Sequence, residues 1–173
     1  MGLLAERPVL RLDLATLREG LQPLEDAGIG RLAMWTLDET DPEALAASLD
    51  RIYEHLEESP HPDSEWSTLE RVLEGPRLER LMHVSHSSLR RYSGRQRDTP
   101  TDVAGRLHFL ARIVAHLMGG YNTYGIRRWF ERKREQLDGA TPTEVLSGDW
   151  NPDDDPAQIV LDLARRMNSS PAT

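Results

Sequence analysis

Histidines and a run of three aspartates are the residues of this sequence best suited to metal or acid–base chemistry. The aspartates at 153–155 lack the further loop oxygens that a calcium site requires, and capping of a helix start explains Asp155. His83 and His86 stand three apart, but a predicted turn separates them, and a zinc site needs more converging ligands. Cysteine is absent, and neither a phosphate-binding glycine loop nor a nucleophile elbow occurs. The sequence therefore predicts a protein that is not an enzyme and that holds no metal or cofactor.

Arginine is the other residue type that could bind a ligand, and it is concentrated in the middle of the chain. Residues 66–134 carry 14 basic and 6 acidic side chains, whereas residues 1–65 carry 5 and 15, and residues 135–173 carry 2 and 8. A basic centre between acidic flanks favours an anionic partner for the centre. The alternative, which the charge counts favour equally, is a basic face that is exposed to solvent and balanced by acidic groups within the fold.

Apolar residues at helical spacing would have to position these arginines. Proline-containing starts at Asp41-Pro42, Thr99-Pro100 and Thr141-Pro142 combine a capping side chain with proline in the first turn. Alternation at 9–14 and an apolar run at 31–37 leave room for minor β structure in the first 40 residues. The predicted fold is mainly α, a helical bundle. Helices are predicted at residues 42–58, 66–73, 77–83, 88–93, 100–118, 124–135 and 155–167. The last of them is expected to have Ile159, Val160, Leu163 and Met167 on its apolar side.

Residues 78–94 resemble a helix-turn-helix of the Xre type. Ser85 is placed to cap the second helix, whose polar side chains would face a DNA major groove. The sequence departs from the pattern at Glu79, where a small residue is usual, and at His83, where glycine is usual at the turn. The alternative is a helical element kept for packing or dimerisation. The candidate DNA contacts are Ser85, His86, Ser87, Ser88, Arg90, Arg91, Arg95 and Arg97.

Residues 124–146 contain an arginine-rich helix ending in Trp129-Phe130, a short loop, and Leu-x-Gly-x-Thr-Pro at 137–142 before an acidic and apolar helix start. This pattern resembles the toxin-binding domain of Xre/MbcA/ParS-type antitoxins, and with the helix-turn-helix the resemblance covers residues 66–167. The residues that define the motif are expected mainly to maintain the fold. They are Trp129, Phe130, Leu137, Gly139, Thr141 and Pro142.

The resemblance implies an antitoxin that neutralises a RES-domain, NAD-consuming toxin and represses its own operon by binding operator DNA. It also implies that the last helix and the C-terminal tail occlude the toxin's active site. The basic series at 127–134 is a further candidate contact surface because it is expected to be exposed, and a solvated helix face is its alternative. The candidate toxin contacts are Arg127, Arg128, Arg132, Lys133, Arg134, Arg165, Arg166 and Met167. The alternatives are a stand-alone helix-turn-helix regulator whose C-terminal domain assembles the oligomer, and a scaffold with a decayed helix-turn-helix.

The expected organisation has four parts. An acidic region at 1–65 has no assigned role, a DNA-binding-like domain follows at 66–100, a toxin-binding domain at 101–167, and a flexible tail at 168–173. The sequence has no apolar run long enough to span a membrane and no signal-peptide pattern at its start. Together with the absence of cysteine, this predicts a cytoplasmic protein. The antitoxin resemblance implies an oligomer, of this chain by itself or with a toxin.

Overall fold

A computed structural model describes residues 13–30, 33–34, 37–38 and 40–169. Within these residues the protein is mainly helical and contains no strand, which confirms the predicted fold class. Of the two predicted strand segments, residues 9–12, 31–32 and 35–36 lie outside the description. The remaining parts do not form strands: Leu14 begins a helix, and residues 33–34 are helical.

The chain divides into two compact units, and the first is Met1–His61. Helix α1 spans Leu14–Asp26 and helix α2 spans Pro42–Glu58. Each begins at an aspartate whose side chain accepts backbone N–H hydrogen bonds of the first turn, as the Asp41-Pro42 start predicts. The small core of this unit consists of Leu21, Leu24, Ile29, Ala33, Met34, Leu37 and Ile52.

The second unit, Pro62–Thr173, contains the remaining helices. They are α3 (Pro62–Leu73), α4 (Gly75–Met82), α5 (His86–Ser93), α6 (Thr101–Met118), α7 (Thr123–Phe130), a 3-10 turn (Glu135–Leu137), α8 (Pro142–Val145) and α9 (Asp155–Ser169). Helix α6 is central and packs against both α3 and α9. Its apolar residues are almost all buried because neighbours cover it on several sides.

One hydrophobic core serves the whole second unit. Leu78 and Leu81 of α4 belong to the same buried cluster as Leu110 of α6 and Ala164 of α9. The Trp150 indole N–H also donates a 2.8 Å hydrogen bond to the Leu81 carbonyl. The segments at 66–100 and 101–167 therefore fold around shared apolar contacts.

The start of α6 differs by one residue from the sequence prediction. Thr99 was expected to cap the helix with Pro100 in its first turn, but the helix begins at Thr101 and Pro100 occupies the capping position. The Thr99 hydroxyl instead accepts a 3.0 Å hydrogen bond from the Trp66 indole N–H. The partly buried indole donor therefore has a partner.

The predicted helix at 124–135 is also shorter than expected, because α7 ends at Phe130. The chain then folds back, with the Arg134 N–H bonded to the Ala140 carbonyl at 3.0 Å and the Gly139 N–H to the Arg134 carbonyl at 2.9 Å. Gly139 has a φ of 82°, which favours glycine. Arg132, Lys133 and Arg134 consequently lie in a loop and do not continue the helix face of Arg127 and Arg128.

Candidate DNA and partner surfaces

Helices α4 and α5 are joined by a short turn at residues 83–85, where the sequence predicts the turn of a helix-turn-helix. His83 adopts the left-handed conformation with φ 52° and ψ 42°, and its N–H bonds back to the Arg80 carbonyl at 3.3 Å. Ser85 accepts a 3.2 Å hydrogen bond from the Ser88 N–H, so the predicted cap of the second helix is confirmed. A histidine therefore takes the conformation that glycine would take at lower cost.

Helix α5 divides into a buried and an exposed side. Leu89 and Tyr92 are buried in the core. Ser88 is half-buried, and the other candidate DNA contacts are exposed. The exposed ones are Ser85, His86, Ser87, Arg90, Arg91, Arg95 and Arg97.

Three of the four arginines on this surface make local contacts. The Arg91 Nε–H donates to the Ser87 carbonyl at 3.1 Å, Arg95 lies 3.6 Å from the Asp63 carboxylate, and the Arg97 guanidinium lies 5.9 Å from the Tyr92 ring centroid. The Arg95–Asp63 pair is exposed on both sides, so solvent screens it strongly. These contacts hold the arginines weakly and leave them available to an anion.

Glu79, the departure inside the first helix, contacts the beginning of α5. Its carboxylate oxygen lies 2.6 Å from the His86 ring Nδ1. The Glu79 side chain is 26% exposed and that of His86 is 70% exposed. A carboxylate therefore lies beside His86, the first residue of the helix that would approach DNA, and His86 is its hydrogen-bond partner.

Arg127, a candidate toxin contact, is bound within the fold. Its guanidinium donates to the carbonyls of Val72 at 2.7 Å and Arg71 at 3.2 Å, at the C-terminal end of α3. It also pairs with Glu74, a non-glycine residue at φ 65° and ψ 153°. A cation at this position satisfies carbonyls that have no partner within the helix and complements its dipole.

Glu131 links the end of α7 to α4. It lies 3.1 Å from Arg77 and 3.3 Å from Arg80 on α4, and it accepts a 3.1 Å hydrogen bond from the Thr143 hydroxyl. Sequence reasoning missed this ion-pair cluster. Arg77 and Arg80 share a helix face, but their partner lies more than fifty residues away and only the tertiary fold brings it near.

Arg134 packs over the aromatic pair at the end of α7. Its guanidinium lies 5.1 Å from the Trp129 ring centroid, and Trp129 meets Phe130 edge to face at 5.3 Å. Its Nε is buried and has no hydrogen-bond partner in the described structure. Burial, and secondarily the positive charge of Arg132, lower the pKa of Arg134 from its usual value, while Tyr121 acts in the opposite direction.

The motif residues of the C-terminal pattern are mostly interior. Trp129, Phe130, Leu137 and Thr141 are buried, as is Pro142. Thr141 and Glu144 form a reciprocal capping box at the start of α8. The expectation that these residues maintain the fold agrees with their burial.

Helix α9 faces the core with a different side from the one predicted. The expected inward set was Ile159, Val160, Leu163 and Met167. Only Val160 of that set is fully buried; Leu163 is half-buried, and Ile159 and Met167 are 40% and 41% exposed. The observed inward residues are Ala157, Val160, Leu161 and Ala164, whose two alanines allow close approach to α6.

The outer side of α9 therefore presents apolar residues at one-turn spacing. Ile159, Leu163 and Met167 stand four apart in sequence, which aligns them along the helix. Arg166 is exposed, and Arg165 is half-buried and 3.4 Å from Asp162. Arg166 lies beside this stripe, whereas Arg165, two positions from both Leu163 and Met167, lies on the opposite side of the helix. Of the candidate toxin contacts on α9, the fold therefore brings together Arg166 and Met167.

A buried ionisable pair lies away from both surfaces. His108 of α6 and Glu65 of α3 are 7% and 1% exposed in their side chains, and Nδ1 lies 2.6 Å from the carboxylate. The sequence did not predict this pair, because its members are 43 positions apart. It joins two core helices and reaches neither candidate surface.

Within the described residues, no group of three or more histidine, aspartate or glutamate side chains is arranged to hold a metal ion. The helices of the same residues include none with the length and apolar character needed to cross a bilayer. No family model, no curated protein and no solved structure matches this chain.

Proposed function

We propose that this protein is an antitoxin that neutralises a toxin through its C-terminal helix and binds operator DNA through α5. The apolar stripe of Ile159, Leu163 and Met167 on the outer side of α9 carries the first half of this proposal. Large apolar side chains aligned at one-turn spacing on an exposed helix face are typical of helices that dock into a partner's groove. The flanking Arg166 would add a charge contact at the rim of such an interface.

The DNA-binding half is supported by the left-handed turn at His83, the Ser85 cap and the exposed arginines of α5. Serine and arginine at the start of an exposed helix suit contacts to phosphates and guanine edges. Since such binding releases counterions from DNA, the affinity for upstream DNA is expected to fall steeply with ionic strength. Binding that is absent or insensitive to salt would contradict this half of the proposal.

The resemblance to Xre/MbcA/ParS-type antitoxins supports a RES-domain toxin as the partner and the cytoplasm as the location. By the same resemblance, the end of α9 and the residues after it occlude the toxin's active site. Homo-oligomers or hetero-oligomers with the toxin are the proposed assemblies.

A stand-alone transcriptional regulator is the second candidate. The shared core of the helix-turn-helix and the C-terminal helices favours it, because one rigid unit can both contact DNA and assemble an oligomer. In that case α9 would bind a second copy of the chain. An adjacent gene for a small RES-type protein favours the antitoxin, and its absence favours the regulator.

Co-purification with the product of the adjacent gene tests the proposal. Wild-type protein is expected to form a stable complex, and Ile159→Asp/Met167→Asp is expected to abolish it because two charges replace the apolar stripe. Arg90→Gln/Arg91→Gln, on the DNA surface, is the matched control and should retain the complex. Deletion of residues 165–173 should also release the partner without unfolding the protein. A complex that survives both changes to α9 would reject the proposed surface.

A further inference from the structure

A hollow beside α7 has the chemistry of a phosphate site. It has a volume of about 220 Å³ and is lined by Tyr121, Gly125, Arg128, Trp129 and Arg132. The Tyr121 ring packs against Gly125, where a Cβ atom would come within 2.9 Å of a ring carbon. Because position 125 has no side chain, Tyr121 can form one wall of the hollow. A neighbouring hollow of about 300 Å³ shares Arg128 and Arg132 and includes Tyr124.

The positive charge here is not balanced by the protein. Arg128 and Arg132 are exposed, and neither has a carboxylate at ion-pair distance in the described residues. Glu74 and Glu131, which line the neighbouring hollow, are already paired with Arg127, Arg77 and Arg80. Among the described residues, Arg128 makes a long 3.4 Å hydrogen bond to the Tyr124 hydroxyl and lies 6.0 Å from that ring centroid.

Arg134 lies near the same hollow through its contact with Trp129, but it is not one of the residues that line the hollow. It stacks on Trp129, which lines the hollow, and it interacts electrostatically with Arg132 and Tyr121, two other lining residues. Its buried Nε has no hydrogen-bond partner in the part of the chain that is described. Like charges brought together beside an unsatisfied donor are costly unless an anion neutralises them.

Charge and shape favour one kind of anion. A phosphate monoester carries nearly two negative charges at neutral pH and three acceptor oxygens, which suits several guanidinium groups better than a single carboxylate does. Tyr124 is 65% exposed and offers a ring on which a planar group can stack. We propose that Arg128 and Arg132, which line both hollows, bind the phosphate of a nucleoside monophosphate whose base stacks on Tyr124. The site uses none of the α5 or α9 residues on which the proposed function rests, although its arginines are among the candidate toxin contacts.

Calorimetric titration of the full-length protein with AMP tests the proposal. AMP is expected to bind, and adenosine, which lacks the phosphate, is expected to bind at least about tenfold more weakly. Arg128→Gln/Arg132→Gln should weaken AMP binding by about tenfold or more. The matched control, Arg51→Gln/Arg71→Gln, removes two exposed arginines that line neither hollow and should leave AMP affinity within about twofold.

Two further measurements separate nucleotide binding from a general attraction of anions and from a loss of folding. Tyr124→Ala should weaken AMP binding but not inorganic phosphate binding, because only the nucleoside stacks. Unchanged thermal midpoints in the arginine variants would show that lost binding is not lost folding. The proposal is overturned if AMP does not bind, if adenosine binds equally well, or if Arg128→Gln/Arg132→Gln binds AMP like wild type. It is also overturned if random-sequence duplex DNA displaces AMP at equal phosphate concentration, since the arginines would then extend a DNA surface.

Discussion

Residues 85–97 and residues 127–134 are both rich in arginine, yet the fold surrounds them differently. The arginines of the first segment are all exposed, and their contacts are local and open to solvent. In the second segment, Arg127 donates to two carbonyls at the end of α3, and Arg134 covers Trp129. Arg128 and Arg132 are the arginines of that segment that combine exposure with the absence of an acidic partner in the described residues.

This contrast teaches that a basic segment is not uniformly a binding surface. An arginine whose donors are satisfied by carbonyls near the interior stabilises the fold, whereas one whose donors face water can exchange them for a ligand's acceptors. The two segments should therefore respond differently to the same substitution. Substitution of an arginine in residues 85–97 should weaken binding with little change in stability. Substitution of an arginine in residues 127–134 should lower stability where that arginine is bonded to the rest of the fold.

The largest effect is expected at the aromatic pair beneath the second segment. Trp129 is 2% exposed and packs between Phe130 and Arg134. Trp129→Ala would remove this packing and leave a cavity, at a cost of about 3–5 kcal/mol in the free energy of unfolding. Chemical denaturation followed by circular dichroism measures the change. A loss below about 1 kcal/mol would mean that the motif residues do not maintain the fold.

A smaller loss is expected from Arg127→Gln. The substitution removes charge-assisted hydrogen bonds to the Val72 and Arg71 carbonyls and the ion pair with Glu74. The free energy of unfolding should fall by about 2 kcal/mol, the range of a hydrogen bond to a charged group. Arg90→Gln is the matched control, because Arg90 is exposed, and it should change stability by less than about 0.5 kcal/mol. If Arg127→Gln and Arg90→Gln lowered the free energy of unfolding equally, the proposed contrast between the two segments would be wrong.

The capping box that follows the second segment should give a still smaller effect, with a defined pH dependence. Thr141→Ala is expected to cost about 1 kcal/mol, because the Thr141 hydroxyl caps α8. Hydrogen bonds from the Thr141 backbone and side chain lower the pKa of Glu144 below its ordinary value of 4.5.

The lowered pKa of Glu144 determines how its contribution to the free energy of unfolding changes with pH. A carboxylate with a lowered pKa in the folded state stabilises the protein above the unfolded-state pKa. This stabilisation is lost as the pH falls through the folded-state pKa. The stability difference between wild type and Glu144→Gln should therefore shrink in acid and be constant near neutrality. A difference that grows on acidification would contradict the capping geometry.

Arg90→Gln/Arg91→Gln should have the smallest effect on stability while changing DNA binding. If both side chains contact phosphates, the slope of log affinity against log salt should decrease by about 1 for each contact removed. Fluorescence anisotropy with upstream DNA at several salt concentrations measures the slope. An unchanged slope would place these arginines outside the DNA interface.

The sequence predicted the local features of the fold better than its tertiary ones. Caps at Asp41, Ser85 and Thr141 were foreseeable because each depends on residues three or fewer positions away. Helical periodicity did not predict the end of α7 at Phe130, since the loop that follows is fixed by hydrogen bonds between Arg134 and residues 139–140. Only the family pattern, in which the arginine-rich helix ends in tryptophan and an apolar residue, indicated that end. The buried side of α9 was misassigned because periodicity alone did not distinguish two adjacent stripes, one with Leu161 and small alanines and the other with Ile159 and Met167.

The residues of the candidate surfaces show the same difference between local features, which could be predicted, and tertiary ones, which could not. The exposed serine and arginine series of α5 could be identified from its position after a turn. The roles of Arg127 and Glu131 could not, because their partners are more than fifty residues away on α3 and α4. Sequence reasoning could identify a basic segment, but only the fold shows which of its charges are already neutralised.

Growth of cells that express the product of the adjacent gene tests the central claim most directly. Co-expression of the wild-type protein is expected to restore growth, and Ile159→Asp/Met167→Asp is expected to fail although it folds. Arg90→Gln/Arg91→Gln, supplied from a heterologous promoter, should restore growth as well as wild type does, because neutralisation does not require the DNA surface. An adjacent gene product that is harmless by itself, or full rescue by the α9 variant, would contradict the proposed antitoxin function.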